Sequence, residues 1–141
     1  VVIVDANVLL YTVDETSAQH HGARRWLEAA LAGTESIGFA WVVLLAFVRI
    51  ASNPSIYPHP LSTDAAMGQV EAWLKAPAAV VVHPTQRHAG LLRGVLTDSG
   101  TAGNRTTDAH LATLALEHRA DLVSYDRDFA RFRDLRHRLP G

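Results

Sequence analysis

Val1-Val2-Ile3-Val4-Asp5-Ala6-Asn7 opens the chain. Four consecutive apolar, mostly β-branched residues leave no wet face, so Val1–Val4 predicts a strand buried on both sides, the kind found in the middle of a parallel sheet. Asp5-Ala6-Asn7 is expected as a turn, and Val8-Leu9-Leu10-Tyr11 continues apolar. In an open parallel sheet ligands bind outside the carboxyl ends of the strands. Asp5 stands at such an end, which makes it a candidate site residue on topology alone.

Working outward, strands and helices alternate. Gly22 to Leu31 predicts an amphipathic helix, with Ala23, Trp26, Leu27, Ala30 and Leu31 at helical spacing. Ser36 to Ala40 predicts a second strand. Val42 to Ala51 is helix-like and apolar nearly all round, so it is expected to be well buried. Ser62 or Thr63 can cap a helix from Asp64 to about Leu74. Ala79 to His83 predicts a third strand, and Gln86 to Leu96 a helix with Leu91, Leu92, Val95 and Leu96 inward. Gly100 to Asn104 is expected as a flexible loop. Thr107 to Arg119 is a further helix, Asp121 to Tyr125 a fourth strand closed by Asp126, and Leu135 to Leu139 a last edge strand. The alternation predicts an α/β fold, a parallel sheet with helices on both faces, in a single domain over residues 1–141.

Bulk composition bounds the function. The 141 residues are 48% apolar, enough for one globular core. No apolar run approaches the ~20 residues of a membrane span. The opening residues lack a basic region and a cleavage-like site, so no signal peptide is expected and the cytoplasm is the default location. The chain has no cysteine, which excludes disulfides and thiolate metal sites. Net charge is −1, which argues against a general nucleic-acid coat. Arg127, Arg131, Arg133, Arg136 and Arg138, however, place five of the 13 basic residues in the last 15 positions. They read as a solvated surface or as contacts to an RNA backbone, which arginine's planar fork suits.

Asp5 ends the first predicted strand and Asp126 the fourth, so in a parallel sheet both fall on one edge. Asp108 sits in the first turn of its helix, where its distance from that edge is left open by the sequence. Grouped carboxylates are costly unless a cation neutralises them. Oxygen ligands without Cys or His favour Mg²⁺ or Mn²⁺ over zinc. Such an ion lowers the pKa of bound water and steadies charge on phosphoryl oxygens, which fits phosphodiester hydrolysis. Singly, each aspartate reads as well as a turn residue or a helix-start charge.

Three segments set these aspartates in context: Val2-Ile3-Val4-Asp5-Ala6-Asn7-Val8-Leu9-Leu10-Tyr11, Thr107-Asp108-Ala109-His110-Leu111-Ala112-Thr113-Leu114-Ala115, and Ala120-Asp121-Leu122-Val123-Ser124-Tyr125-Asp126-Arg127-Asp128-Phe129. Together they resemble the PIN-domain family, and within it the VapC toxins of toxin–antitoxin pairs, over Val2 to about Leu135. The resemblance implies a five-stranded parallel sheet and an acidic pocket for Mg²⁺ or Mn²⁺. It implies endoribonuclease cleavage of structured RNA, tRNA favoured over ribosomal RNA, that arrests translation. The implied partners are a cognate VapB-type antitoxin and a second copy in a homodimer. On this resemblance Asp5 and Asp108 are the metal ligands and Asp126 the third catalytic carboxylate. Asp128, Asn7 and Thr107 are supporting residues.

One position departs from the family pattern. Leu44-Leu45-Ala46-Phe47-Val48-Arg49 places Ala46 where the family usually has a glutamate. The expectation is one tightly bound metal, with a second only in the presence of RNA. Ala46 also supports the alternative of a catalytically weakened RNA- or protein-binding module. A phosphoacceptor receiver domain needs an acidic pair at the first strand and a lysine after a late strand; Asp5 has no acidic neighbour and Lys75, the one lysine, follows a helix. Arg49, Arg131 and Arg133 are candidate RNA contacts, Arg49 being equally read as half of a salt bridge. His20-His21 is expected as a surface pair, His110 as packing or surface, and Trp26, Trp41 and Trp73 as structural.

Overall fold

The computed structural model describes residues 1–100 and 105–141; the remaining four positions, within the expected loop, lie outside the described residues. Strand β1 (Val2–Val4) is buried along its whole length. It can be so because it is paired on both sides, with β2 (Ile37–Phe39) and with β4 (Asp121–Val123), and both pairings are parallel. β3 (Ala79–Val81) pairs with β2, and β5 (His137–Arg138) with β4, again in parallel. The five-stranded order is β3-β2-β1-β4-β5. The apolar run thus marks the central strand, as expected. Gly38 of β2 sits where a Cβ would come within 3.0 Å of the Val82 side chain and 3.1 Å of that of Ile3, so even an alanine there would make both side chains shift slightly.

Six helices link the strands: α1 (Ala6–Val13), α2 (His20–Leu31), α3 (Trp41–Ala51), α4 (Thr63–Lys75), α5 (His88–Ser99) and α6 (Thr106–Glu117). α1 packs on α2 and α3, and α3 on α4, while α5 and α6 pack on each other. That grouping is what right-handed crossovers impose when the first connections run from β1 outward to β3 and the next returns to β4. The core gathers Ile3, Val4, Leu9, Phe39, Phe47, Leu114, Leu122 and Phe129, all at most 1% exposed. No helix among the described residues is long and apolar enough to cross a membrane.

Several local expectations are corrected. Ala6 to Val13 is a helix, where the sequence reads as a turn at Asp5-Ala6-Asn7 and an apolar continuation with no assigned element at Val8-Leu9-Leu10-Tyr11: Asp5 is its N-cap, and the carboxylate accepts from the Ala6 N–H at 2.7 Å. The capping carboxylate decides the conformation of an apolar run whose periodicity is silent. α3 is not buried all round. Val43, Leu44 and Phe47 face the core, while Trp41 and Leu45, one turn apart, are 43% and 62% exposed. The strands are also shorter than their apolar runs, because Tyr125 and His83 lie beyond the last paired residues. Ser62 caps α4 as expected, accepting from the Ala65 N–H at 3.0 Å.

Candidate active site

The order of strands reverses its winding between β1 and β4, and there the connections leave toward opposite faces of the sheet. A crevice at the carboxyl ends is the geometric result. Asp5 enters it directly from β1; its N–H still donates to the Val123 carbonyl at 3.0 Å, so it is the last residue held in sheet register. Asp126 follows β4 by three residues and caps the 3-10 helix Arg127–Arg131, accepting from the Asp128 N–H at 2.9 Å. Asp108 lies in the first turn of α6. The three lie near enough for their charges to be felt: those of Asp108 and Asp126 both raise Asp5, and that of Asp126 raises Asp108.

Ser124 holds the cluster in shape. It is fully buried, donates its hydroxyl proton to Asp5 Oδ2 at 2.8 Å, and accepts from Asn7 Nδ2 and from the Asp126 N–H, both at 3.0 Å. Asn7 completes the link by accepting from the Tyr125 N–H at 3.1 Å. The β1–α1 junction and the end of β4 are therefore tied by one closed set of hydrogen bonds. Burial pushes the Asp5 carboxyl up; the Ser124 and Ala6 hydrogen bonds oppose it, and the charges of Asp108 and Asp126 push it further. Burial likewise raises Asp108, with Asp126 and Asp128 adding to it and Arg105 and Arg131 countering. Both groups resist ionisation in the free protein, the state a cation would relieve.

The donors are hard oxygens only, which suits Mg²⁺ or Mn²⁺. Among the described residues no three His, Asp or Glu side chains converge tightly enough to enclose an ion by themselves. One or two carboxylates with retained water is the usual way Mg²⁺ is held, so the residues fit. Ala46, half-buried on α3, contributes no ligand.

The other expected residues divide. Asp128 is exposed and reached by Arg105 Nη1 at 3.3 Å. Thr107 is exposed in the same turn as Asp108, and its hydroxyl has no hydrogen bond among the described residues. Arg131 ends the 3-10 helix and acts on Asp108. Arg133 pairs with Asp98 at 3.5 Å. Arg49 is exposed near the far end of α3 and has no ion pair among the described residues, so the salt-bridge reading fails. Arg136 and Arg138 clamp β5 to β4 through Asp121, at 2.6 and 3.4 Å. His20 is not a surface residue; it is buried, its Nδ1 at 2.8 Å from the Tyr11 carbonyl, while His21 is exposed. Trp73 and half-buried Trp26 are structural as expected; Trp41 is at the surface. His110 is half-buried at the end of a hydrogen-bonded chain with the buried His88 and Glu117. Sequence reasoning missed Ser124 and Arg105. Ser124 two residues before Asp126 was visible, but a neutral hydroxyl gains its role only when β4 is set beside β1.

Comparison with known proteins agrees with this geometry. The profile of the PIN domain matches residues 2–135. The chain is 57% identical to Ribonuclease VapC37 of Mycobacterium tuberculosis over 95% of its length and 93% of that protein. It is 40% identical to Ribonuclease VapC43 of the same organism, over 97% and 93%. Among solved structures, VapBC2 from Rickettsia felis bound to a promoter DNA fragment superposes with a TM-score of 0.74 at 14% identity, covering 99% of this chain and 98% of that one. VapC20 of M. tuberculosis, described as a sarcin-ricin loop cleaving toxin, gives 0.69 at 16% identity over 96% and 99%. At those identities the structural likeness speaks for the fold. The profile and the sequence relatives go further: the chain belongs to the PIN-domain family, in its VapC ribonuclease branch.

Proposed function

We propose that the chain is a metal-dependent endoribonuclease toxin of the VapC kind, hydrolysing phosphodiester bonds in structured RNA. The observation that carries this reading is the meeting of Asp5, Asp108 and Asp126, from three separate elements, at the β1/β4 crevice. Asp5 and Asp108 would hold Mg²⁺ or Mn²⁺. When bound, the ion supplies a nucleophilic water at neutral pH and balances charge on the phosphoryl oxygens. Ser124 and Asn7 donate to Oδ2 of Asp5 and the Ala6 N–H to Oδ1, which orients its carboxylate. Asp126, which caps the 3-10 helix, would accept a proton from attacking water or orient it. Asp128 and Thr107 are supporting groups at the rim, and Arg49, Arg131 and Arg133 are RNA-backbone contacts.

tRNA is the first substrate class and ribosomal RNA the second. A VapB-type antitoxin would neutralise the acidic crevice, and homodimerisation fits the exposed Trp41 and Leu45 on α3. The test is mapping of new RNA 5′ ends in cells expressing the wild type or Asp5→Ala. Discrete cleavage sites present only with the wild type are expected; identical maps would sink the reading. Ala46 favours a second reading, a module that binds RNA or protein without cutting. It predicts binding of tRNA with no cleavage in Mg²⁺ or Mn²⁺.

A further inference from the structure

The site carries two guanidinium groups besides its carboxylates. Arg105 is the N-cap residue of α6 and Asp108 its third position, so the two lie three residues apart on one face of the first turn. Arg105 Nη1 reaches Asp128 Oδ2 at 3.3 Å, with the side chains 44% and 63% exposed. An ion pair so exposed contributes little to stability, so the guanidinium can leave it at little cost. Arg105, the N-cap residue, makes no side-chain capping bond to α6 among the described residues. The first-turn N–H groups and the helix dipole therefore favour an anion at this end. Asp5, Asp108, Asp126 and Asp128, together with Arg105, Arg131 and one divalent cation, sum to no net charge, so a phosphodiester meets no repulsion there.

We propose that Arg105 is a substrate-binding residue: it swings from Asp128 onto a non-bridging oxygen of the RNA phosphate lying against the first turn of α6. The inference rests on the ribonuclease reading of the site. Asp128 then has a definite task, which is to hold the guanidinium at the crevice mouth until RNA arrives. Arginine suits the task because its fork can exchange one planar oxygen pair, that of a carboxylate, for another, that of a phosphate.

The test uses the full chain and fluorescein-labelled unfractionated tRNA, with Ca²⁺ in place of Mg²⁺ and RNA integrity checked on a gel. Kd is measured against KCl for the wild type, Arg105→Gln, Arg105→Lys and Asp128→Asn, each shown by thermal melting to be folded. Arg105→Gln should weaken binding about tenfold and lower the slope of log Kd against log salt by about 1. Arg105→Lys should keep the slope, and Asp128→Asn, which frees the guanidinium and removes a negative charge from the rim, should bind at least as tightly as the wild type. An unchanged slope in Arg105→Gln overturns the inference, and so does equal weakening in Arg105→Gln and Asp128→Asn, the mark of a merely structural pair. If the wild type neither binds nor cuts tRNA or, in the same assay, ribosomal RNA when Mg²⁺ or Mn²⁺ is restored, the ribonuclease reading fails and takes the inference with it.

Discussion

The Ser124 hydroxyl donates to Asp5 Oδ2 at 2.8 Å, across 119 positions of sequence. Removing it withdraws the largest influence that holds the Asp5 carboxyl down against burial. Ser124→Ala should therefore raise Asp5 further and move the acidic limb of kcat/KM to higher pH, because Asp5 acts in its ionised form. The Asp126 N–H also loses its acceptor, so stability should drop by about 1–3 kcal/mol. A pH–rate profile and a urea melt check both. A limb that stays in place would reduce Ser124 to a packing residue.

Asp108 is raised by burial first and then by the charge of Asp126. Its folded form binds a proton more tightly than the unfolded chain, whose value is about 3.9. Stability without metal should therefore fall as pH rises from that value through the raised one. At neutral pH Asp108→Asn should melt roughly 2–4 °C higher than the wild type in EDTA, while losing RNA cleavage by about a hundredfold or more. Mg²⁺ should raise the wild-type melting temperature and leave the variant's unmoved. Scanning calorimetry with and without Mg²⁺ decides it; an Asp108→Asn protein stabilised equally by Mg²⁺ would remove Asp108 from the ligands.

Ala46 leaves the site one carboxylate short of the family pattern. Calorimetric titration of the wild type with Mn²⁺ should give one tight site without RNA, and Ala46→Glu should add a second or tighten the first by about tenfold. The same variant should be less stable without metal, through added like charge. Two equivalent tight sites in the wild type would refute this.

Away from the crevice, Glu117 has a side chain with no solvent exposure, accepts from the Thr85 N–H at 2.8 Å and pairs with His88 Nδ1. His88 Nε2 is in turn 2.9 Å from His110 Nδ1. Burial pushes Glu117 up, but the Thr85 and His88 contacts prevail and hold it below its ordinary range. Its contribution is thus present above the unfolded value, about 4.3, and lost as pH falls through the lowered one. Burial, then the neighbouring His88, lowers His110, so stability also declines as pH drops below about 6.5. Glu117→Ala should cost about 3–5 kcal/mol and flatten the acid side of stability against pH. Urea midpoints from pH 7.5 to 4 measure it; a loss under 1 kcal/mol would mean that water replaces the carboxylate.

The apolar opening run, the alternation of elements and the three aspartates were readable because each follows from residue type and order. The β-branched residues of Val1–Val4, which end at Asp5, favour a buried strand. α1 was not readable, since Val8, Leu9 and Leu10 carry no polar face to set a period; its signal was Asp5 acting as a cap. The exposure of Trp41 and Leu45 was missed because apolar character predicts burial, and which helix face stays open is decided by the number of neighbours. The approach of Asp108 to Asp5 depended on where α6 begins, which only the assembled crossover fixes. Arg105 was overlooked because nothing in its local sequence ties it to Asp128.

The crevice draws its carboxylates from positions 5, 108 and 126 of a chain of 141. A growing polypeptide presents Asp5 long before it presents Asp108 and Asp126. Until β4 docks beside β1, Asp5 lacks both its hydrogen-bonding anchor and its partners. Assembly of the crevice therefore waits on the residues that carry β4 and the 3-10 helix, and a nascent chain that stops short of them holds Asp5 on an unfinished edge.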